Sequence, residues 1–236
     1  MTYVMSDIHG CYEQYLQLLD KINFTGQDVL YVLGDVVDYG DKPIEVLRDM
    51  SMRDNIIPIV GNHEYFALTV LKELLQEITE KNVGKIAHIA EDVKNWQSFG
   101  GSSTLLGFGT LPVEERKIIF EYLLEFSLFE QVTVNGQKYI LTHAGLPEGA
   151  TQNNLHMFDL YDFTIATVDY NKEYFSDVVL VSGHTPTFHR GEAYRGKVFR
   201  GNNHLAIDTG GVFGETFACV CLDTGEEFYI PMKGAT

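Results

Sequence analysis

Short apolar runs alternate with amphipathic stretches through the first third of the chain. Apolar residues recur at intervals of three and four over residues 12–22, 44–50 and 65–78, which predicts three helices. Pro43, directly before the second of them, suits the first turn of a helix. A short apolar run precedes each helix and predicts a strand, at residues 3–6, 29–33 and 56–60. Strands that alternate with helices indicate βαβ units and a sheet with parallel strands.

The pattern changes in the middle of the chain. Residues 81–126 hold several helical stretches with a break at Gly100-Gly101, which predicts a helical insertion or cap. Further strands are predicted at residues 131–134, 138–142, 178–182, 205–208, 216–222 and 228–230, and Asn135-Gly136 is a strong hairpin signal between the first two. Because no repeat, linker or sharp change of composition interrupts the chain, we expect a single domain over residues 1–236.

The balance of charge limits what such a fold can bind. The 236 residues include 17 Lys and Arg against 33 Asp and Glu, a formal net charge of −16. A surface this negative repels nucleic-acid phosphate and anionic lipid, so we expect no nucleic-acid track. No apolar run approaches the roughly 20 residues of a membrane-spanning helix, so we expect no membrane partner either.

The N-terminus and the cysteines predict a cellular compartment. The first residues lack a basic start and reach an acid already at Asp7, unlike a secretory signal. The three cysteines, Cys11, Cys219 and Cys221, are an odd number without the spacing of a metal site. We therefore expect reduced thiols and a soluble, cytoplasmic protein.

Residues of the kinds that bind metals follow five of the predicted strands. The clusters are Asp7 with His9, Asp35 with Asp38, Asn62 with His63, His143, and His184. In open α/β sheets, ligands bind outside the carboxyl ends of the strands. Carboxylate, imidazole and amide oxygen together suit manganese, iron, zinc or nickel better than calcium. One such cluster alone is typical of a strand-end turn, whereas five in order predict a shared metal site.

These clusters together resemble the motif series of the calcineurin-like metallophosphoesterases, and most of all the serine/threonine phosphoprotein phosphatases of bacteria and phages. The matching segments are Asp7-Ile8-His9-Gly10, Gly34-Asp35-Val36-Val37-Asp38, Gly61-Asn62-His63-Glu64, His143-Ala144-Gly145 and Gly183-His184, with Ile207-Asp208-Thr209-Gly210 similar to the closing strand. The resemblance implies an α/β (α+β) fold: two packed mixed β-sheets flanked by helices, a four-layer sandwich that carries the helical insertion.

The same resemblance implies a site with two divalent metal ions, manganese first, with iron, zinc or nickel as alternatives. The implied ligands are Asp7, His9, Asp35, Asn62, His143 and His184, and Asp35 would bridge the two ions. A hydroxide that bridges the metals would be the nucleophile. His63 would protonate the leaving alkoxide as general acid, and Asp38 would orient it.

The chain departs from the family at the groups that bind phosphate. It has Asp38-Tyr39-Gly40 where the phosphatases have Asp-Arg-Gly, and residues 146–182 lack the second phosphate-binding Arg. A positively charged residue could reach the site from elsewhere, and the candidates are Lys172, Arg190, Arg195 and Arg200. Tyr39, Arg190 and Arg195 are our candidate substrate contacts. Alternatively, the substrate is a diester or nucleotide that needs no such clamp, or the site binds metals and turns over slowly.

The expected function is hydrolysis of phosphomonoesters, with a phosphorylated protein, a peptide or a small phosphoester as substrate. One alternative is a nucleotide hydrolase resembling the symmetrical bis(5'-nucleosyl)-tetraphosphatases, which carry Asn-His-Asp where this chain has Asn62-His63-Glu64 and which also retain the Arg that is missing here. Another is a metal-loaded binding module without catalysis. The oligomeric state is left open.

Several aromatic and histidine side chains remain outside these motifs. We expect Trp96, Phe99, Phe108 and Tyr65 to pack in the core rather than form a wall for a nucleobase. His88 and His156 are predicted to be surface or structural residues. His189 and His204 lie near the fifth cluster and the closing strand, where either a structural role or a place at the rim of the site is open.

Overall fold

The computed structural model describes residues 1–75, 80, 84 and 87–232, without the side chain of His88. These residues contain ten strands: β1 (Thr2–Met5), β2 (Val29–Leu33), β3 (Ile56–Ile59), β4 (Phe129–Val134), β5 (Gln137–Thr142), β6 (Val178–Ser182), β7 (Phe199–Gly201), β8 (His204–Ala206), β9 (Thr216–Cys221) and β10 (Glu227–Pro231). They also contain seven α-helices: α1 (Tyr12–Lys21), α2 (Pro43–Ser51), α3 (Asn62–Leu71), α4 (Ala90–Ser98), α5 (Ser102–Thr110), α6 (Val113–Leu124) and α7 (Leu160–Ile165).

The strands form two five-stranded mixed sheets. The first has the order β10-β9-β1-β2-β3. In it β1, β2 and β3 are parallel to one another, β9 is antiparallel to β1, and β10 is antiparallel to β9. The second has the order β4-β5-β6-β8-β7, in which β5, β6 and β8 are parallel and the edge strands are antiparallel. Since parallel strands end at the same edge of a sheet, the loops after each parallel set emerge together.

Apolar side chains of both sheets meet in one buried cluster. Val4 and Leu33 of the first sheet pack with Leu141, Val181 and Leu205 of the second, and each is at most 2% exposed. Burying a side chain of this size contributes about 1.5–3 kcal/mol. The two sheets therefore pack face to face.

Helices cover the outer face of each sheet. Leu18 of α1 and Leu47 of α2 share a buried cluster with Val32 of the first sheet. On the other side, Phe163 of α7 packs with Ile140 of the second sheet. The layers are helices, sheet, sheet and helix, so the predicted fold of two packed mixed sheets flanked by helices is confirmed.

Three helices occupy the segment predicted as a helical insertion. Helix α4 packs against α3, while α5 and α6 pack against both α2 and α3. Trp96, Phe108 and Ile119 of these helices are buried in the cluster of the first sheet. Residues 81–83, 85 and 86 of the predicted insertion lie outside the described residues, and the organisation as one domain stays a prediction. In the part of the chain that the structure describes, no helix is long and apolar enough to span a membrane.

The secondary structure differs from the sequence pattern at several places; the short helix α7, for example, is not predicted. Helix α3 begins at Asn62, three residues before the predicted start, because its first turn is polar and shows no apolar periodicity. Residues 76–79 of that predicted helix lie outside the described residues. Strand β7 is not predicted at all, since three residues are too few to show an alternating pattern.

Candidate active site

The loops that follow β1 and β2 are joined by backbone hydrogen bonds. The amide of Asp7 donates to the carbonyl of Gly34 at 3.1 Å, and the amide of His9 donates to the carbonyl of Asp35 at 2.8 Å. Asp7, His9 and Asp35 have φ angles of 54°, 46° and 52°. Such left-handed values cost residues other than glycine on the order of 1–3 kcal/mol each. All three side chains line one cleft.

Glu64 fixes the loop after β2 from the first turn of α3. Its buried carboxylate accepts hydrogen bonds from four backbone amides: Asp35 and Gly61 at 2.8 Å on Oε2, and Val36 and Val37 at 2.8 and 3.1 Å on Oε1. A Cβ atom on Gly61 would lie 2.2 Å from Oδ1 of Asp35, so only glycine fits there. The backbone around Asp35 is therefore held by one side chain.

Asp35 lies at the centre of a ring of imidazoles. Its Oδ2 is 3.7 Å from Nε2 of His9 and 3.9 Å from Nε2 of His63. Its Oδ1 is 3.4 Å from Nε2 of His143. The side chain of Asp35 is only 3% exposed. One buried carboxylate thus faces side chains from three different strand ends.

His143 connects this centre to the second sheet. Its Nδ1 donates to the carbonyl of Leu33 at 2.8 Å, which leaves Nε2 directed toward Asn62 Oδ1 at 2.9 Å and His184 Nδ1 at 3.1 Å. His9 is held in the same way, with Nδ1 2.9 Å from the carbonyl of Val37. A carbonyl on one ring nitrogen is the usual arrangement for a histidine whose other nitrogen binds a metal.

Two further carboxylates lie beside Asp35 in the cleft. Asp7 accepts from the backbone amide of His184 at 3.1 and 3.2 Å. Burial raises the pKa of Asp7 well above its usual range, and the charges of Asp208 and Asp35 raise it further. Burial raises the pKa of Asp208 to about 7, although the amide of Gly210 donates to its carboxylate. Such crowding of buried carboxylates is relieved by a bound cation.

The imidazoles have the opposite shifts. Burial lowers the pKa of His143 to about 4 and lowers the pKa of His9 and His184 as well. Burial alone would raise the pKa of Asp35, but the surrounding imidazoles, His143 and His63 foremost, lower it below its usual range. Neutral imidazoles and an ionised carboxylate are the protonation states in which these groups bind metals.

The side chains fit divalent metal ions. His9, Asp35 and His63 form one group of potential ligand atoms within 4.8 Å of one another, and Asp35, His143 and His184 form a second. Asp35 belongs to both groups, and the amide oxygen of Asn62 contacts His143 of the second. Mixed nitrogen and oxygen ligands of this kind suit manganese, iron, zinc or nickel.

His63 and Asp38 form a hydrogen-bonded pair next to these groups. Nδ1 of His63 lies 2.7 Å from Oδ2 of Asp38, which is fully buried. Burial lowers the pKa of His63, but the Asp35 charge and the hydrogen bond to Asp38 outweigh burial and raise it to about 9. Trp96 Nε1 and Thr104 Oγ1 donate to the two oxygens of Asp38 at 2.7 and 2.6 Å. The predicted core positions of Trp96 and Phe108 are confirmed, whereas Phe99 is 51% exposed and Tyr65 only half-buried, so the prediction is wrong for Phe99. The sequence pattern misses the hydrogen bond of Trp96 to Asp38.

The cleft above these residues has a volume of about 410 Å³. Its lining residues are Asp7, His9, Asp35, Tyr39, Asn62, His63, His184, Pro186, Phe188, His189, Asp208 and Phe213. Tyr39 is 43% exposed, and its ring centre lies 4.9 Å from that of His9 and 5.9 Å from that of Phe213. One wall of the cleft is therefore aromatic.

The two arginines predicted as substrate contacts are engaged elsewhere. Nη2 of Arg190 donates to Oδ1 of Asn171 at 3.2 Å. Arg195 donates to Glu192 at 2.7 Å and to Glu215 at 2.6 Å. Neither arginine lines the cleft.

The other two cationic candidates also have partners of their own. Arg200 donates to Glu227 at 2.8 Å, and Nζ of Lys172 lies 4.7 Å from the ring centre of Tyr174. Among the described residues that line the cleft there is neither Lys nor Arg. Of the predicted substrate contacts, Tyr39 alone lies in the lining.

The remaining predicted residues lie in three kinds of place. His189 lines the cleft, His156 is exposed, and the side chain of His88 lies outside the described residues. His204 is buried in β8, with Nε2 2.9 Å from Ser182 Oγ.

Asp208 lines the cleft, although the sequence pattern does not assign it to the site. The feature of the sequence that could have identified Asp208 is its position after an apolar strand, as in the five clusters.

The comparison with known sequences defines the class. The profile of the calcineurin-like phosphoesterase family matches residues 2–210, so this chain belongs to that family, as predicted. Curated relatives include the symmetrical bis(5'-nucleosyl)-tetraphosphatases of Enterobacter sp. (strain 638), 33% identical, and of Cronobacter sakazakii (strain ATCC BAA-894), 35% identical, each over 99 residues. Each match spans 40% of this chain and about a third (35%) of the relative's length.

Solved structures agree on the fold. A chain described as a candidate diadenosine tetraphosphatase superposes with a TM-score of 0.67 and 17% identity, over 99% of this chain and 94% of that one. A protein serine/threonine phosphatase from Saccharomyces cerevisiae superposes with a TM-score of 0.61 and 13% identity, over 100% and 80% of the two chains. At these identities the likeness concerns the fold alone.

Proposed function

We propose that this chain is a metal-dependent phosphoester hydrolase in which His63 is the general acid. The observation that carries the proposal is the His63–Asp38 pair, 2.7 Å apart, in which His63 lines the cleft directly beside a buried cluster of carboxylates and imidazoles. A charged acid–base pair and a metal-type ligand set in one cleft are the two parts that this chemistry requires.

The proposed metal ligands are Asp7, His9, Asp35, Asn62, His143 and His184, whereas His63, although it belongs to one of the two groups of potential ligand atoms, is proposed as the general acid. Two bound divalent cations, manganese or alternatively iron, zinc or nickel, would activate water and neutralise the phosphoryl oxygens. Two such ions add about +4 at the site, which outweighs at contact range the more distant net charge of −16. An acidic protein can in this way attract a small phosphate anion.

His63 has the position of a proton donor to the leaving group. Its Nδ1 is occupied by Asp38, while its Nε2 faces the cleft 3.9 Å from Asp35 Oδ2. As the phosphorus–oxygen bond to the leaving group breaks, the proton on Nε2 passes to the departing oxygen. The hydrogen bond from Nδ1 to Asp38 keeps the ring in place. Such a positioned acid typically contributes about 10²–10⁴-fold to the rate.

Phosphomonoesters, either phosphorylated peptides or small molecules, are the first proposed substrate class. Dinucleotide polyphosphates are the second, and two observations favour them. The exposed rings of Tyr39 and Phe213 offer a surface for a nucleobase. The curated relatives are also named as tetraphosphatases of this kind.

A substrate panel tests this proposal. The protein loaded with manganese is assayed against p-nitrophenyl phosphate, its bis-ester, a phosphoserine peptide and diadenosine tetraphosphate. The His63→Ala and Asn62→Ala variants serve as references with impaired chemistry, and His156→Ala serves as the matched control because that histidine is exposed. Turnover that exceeds both references for at least one substrate supports the proposal. Turnover of none would overturn it in favour of a binding module, and preference for the dinucleotide would select the second class.

A reducing, cytoplasmic location is part of the proposal. Cys11, Cys219 and Cys221 are all buried and free, which supports thiols that stay reduced. Free thiols of this kind are typical of proteins in a reducing compartment.

A further inference from the structure

We propose that Trp96 and Thr104, from the helical segment between α3 and β4, position the general acid His63 through Asp38. This inference rests on the proposed hydrolase function and goes beyond it, because it assigns a role in the chemistry to helices that contribute no residue to the lining of the cleft. The two residues touch neither the ligand set nor the cleft, so they are positioning residues.

The contacts around Asp38 carry the inference. Oδ2 accepts from Trp96 Nε1 at 2.7 Å and faces Nδ1 of His63 at 2.7 Å. Oδ1 accepts from Thr104 Oγ1 at 2.6 Å, and the same hydroxyl accepts from the backbone amide of Asp38 at 2.9 Å. Asp38, Trp96 and Thr104 are all fully buried. With water excluded, Trp96, Thr104 and His63 hold the carboxylate in one orientation.

The conformation of the Asp38 backbone needs such support. Asp38 and Tyr39 have φ angles of 73° and 56°, two consecutive left-handed residues that are not glycine. The hydroxyl of Thr104 holds the amide of Asp38, and the carbonyl of Gly100 accepts from the amide of Tyr39 at 3.0 Å. The helical segment therefore holds both the side chain and the backbone of this turn.

Gly100-Gly101 explains how the segment can come so close. A Cβ atom on Gly101 would lie 2.5 Å from the ring of Trp96, and one on Gly100 would lie 2.8 Å from the ring of Tyr39. Gly100 also has a φ of 92°, which side chains rarely tolerate. The glycine pair thus allows Trp96 to reach Asp38 while Tyr39 keeps its place at the cleft.

The contact itself can be measured without any activity. Trp96 is the single tryptophan of the chain, so a proton–nitrogen correlation spectrum contains one indole N–H signal. We expect this signal far downfield, because the indole donates to a carboxylate, and we expect Asp38→Asn to move it upfield. Ser103→Ala is the matched control: its buried hydroxyl lies one residue before Thr104 and has no hydrogen-bond partner among the described residues. If Asp38→Asn leaves the indole signal at its wild-type chemical shift, the inference is overturned.

The positioning role is tested by the choice of leaving group. Phenyl phosphate has a poor leaving group that needs a proton donor, whereas p-nitrophenyl phosphate has a better one that needs it less. We expect Thr104→Val to lower kcat/KM for phenyl phosphate about tenfold or more, a part of the 10²–10⁴-fold effect of an acid, with a clearly smaller loss for p-nitrophenyl phosphate. Trp96→Phe and His63→Ala should likewise lose more activity on phenyl phosphate than on p-nitrophenyl phosphate. Thr104→Ser keeps the hydroxyl and should keep activity near that of the wild type.

Each outcome separates this inference from the proposed function. Equal losses on both esters in folded Thr104→Val and Trp96→Phe proteins, or no loss at all, overturn the positioning role while the hydrolase function stands. Absence of turnover by the wild type on both of these esters and on every substrate of the panel overturns the hydrolase function, and the positioning role with it. If Thr104→Val does not fold, the result for Trp96→Phe decides, because that variant removes a hydrogen-bond donor to Asp38 from a different helix.

Discussion

Glu64 holds Asp35 in place through the backbone rather than the side chain: Oε2 of Glu64 accepts from the amide of Asp35 at 2.8 Å. The same carboxylate accepts from the amides of Gly61, Val36 and Val37, so one side chain connects the end of β2 with the first turn of α3. The central carboxylate of the proposed metal site therefore depends on a residue that does not line the cleft.

Replacement of Glu64 by glutamine should destabilise the protein. The amide group of glutamine would point N–H donors at backbone N–H donors, and a buried donor without an acceptor costs about 1–3 kcal/mol. We expect Glu64→Gln to lower the free energy of unfolding by about 2–4 kcal/mol in urea denaturation without metal. Glu91→Gln, on the exposed side of α4, is the control and should have no effect. Equal stability of wild type and Glu64→Gln would contradict the proposed support.

Much of the fold and site is predictable because the polar clusters follow apolar strands. Asp7, Asp35 and Asn62 follow β1, β2 and β3, and the parallel pairing of these strands brings the three positions to one edge of the first sheet. His143 and His184 follow β5 and β6 in the same way. The alternation of strands and helices gives the first sheet, and the hairpin signal gives the β4–β5 pair.

What the sequence misses depends on contacts between distant segments. Trp96 and Thr104 lie 58 and 66 residues after Asp38, on helices whose pattern shows that they are buried but not against what. Arg195 is near the fifth cluster in sequence, and its ion pair with Glu215 becomes visible only in the structure. Periodicity indicates which face of an element is buried, not which distant residue it meets.

Metal ions should stabilise the folded chain measurably. A ligand that binds only the folded state adds about 4 kcal/mol when its concentration is a thousand times its Kd. We expect manganese to raise the melting temperature of metal-stripped protein, and chelation to reverse the rise. Asp35→Asn should abolish this response, because Asp35 belongs to both ligand groups, while the exposed His156→Gln should keep it. A response that survives in Asp35→Asn would place the binding elsewhere.

An arginine at position 39 should favour monoesters. Tyr39 lines the cleft, and the described lining holds neither Lys nor Arg. A guanidinium there would give a phosphate dianion a charged, bidentate partner, which a tyrosine hydroxyl cannot provide. We expect Tyr39→Arg to raise kcat/KM for p-nitrophenyl phosphate about tenfold and to raise that for its bis-ester less.

Two control variants separate charge from shape at this position. Tyr39→Phe removes only the hydroxyl and should leave the preference between the two esters unchanged. Arg195→Ala should leave both rates unchanged, since that guanidinium is bonded to Glu192 and Glu215 outside the cleft. A marked loss of monoester activity in Arg195→Ala would show that Arg195 reaches the substrate after all, and equal gains for both esters in Tyr39→Arg would argue against a missing dianion contact.

His204 should make the fold sensitive to acid. Burial lowers its pKa to about 4, its Nε2 lies 2.9 Å from Ser182 Oγ, and its Nδ1 has no partner among the described residues. Between about pH 4 and 6.5 the unfolded chain therefore binds a proton that the folded chain excludes, so the free energy of unfolding rises with pH across this window. Above it His204 is neutral in both states and contributes no pH dependence.

A variant without this titration isolates the effect. As the pH falls from about 7.5 to 4.5, we expect the wild type to lose up to about 3 kcal/mol of unfolding free energy relative to His204→Phe. Urea denaturation of both proteins at several pH values measures it. Because the other titrating groups are common to both chains, they largely cancel in the difference. A difference that stays constant with pH would mean that His204 accepts its proton in the folded state.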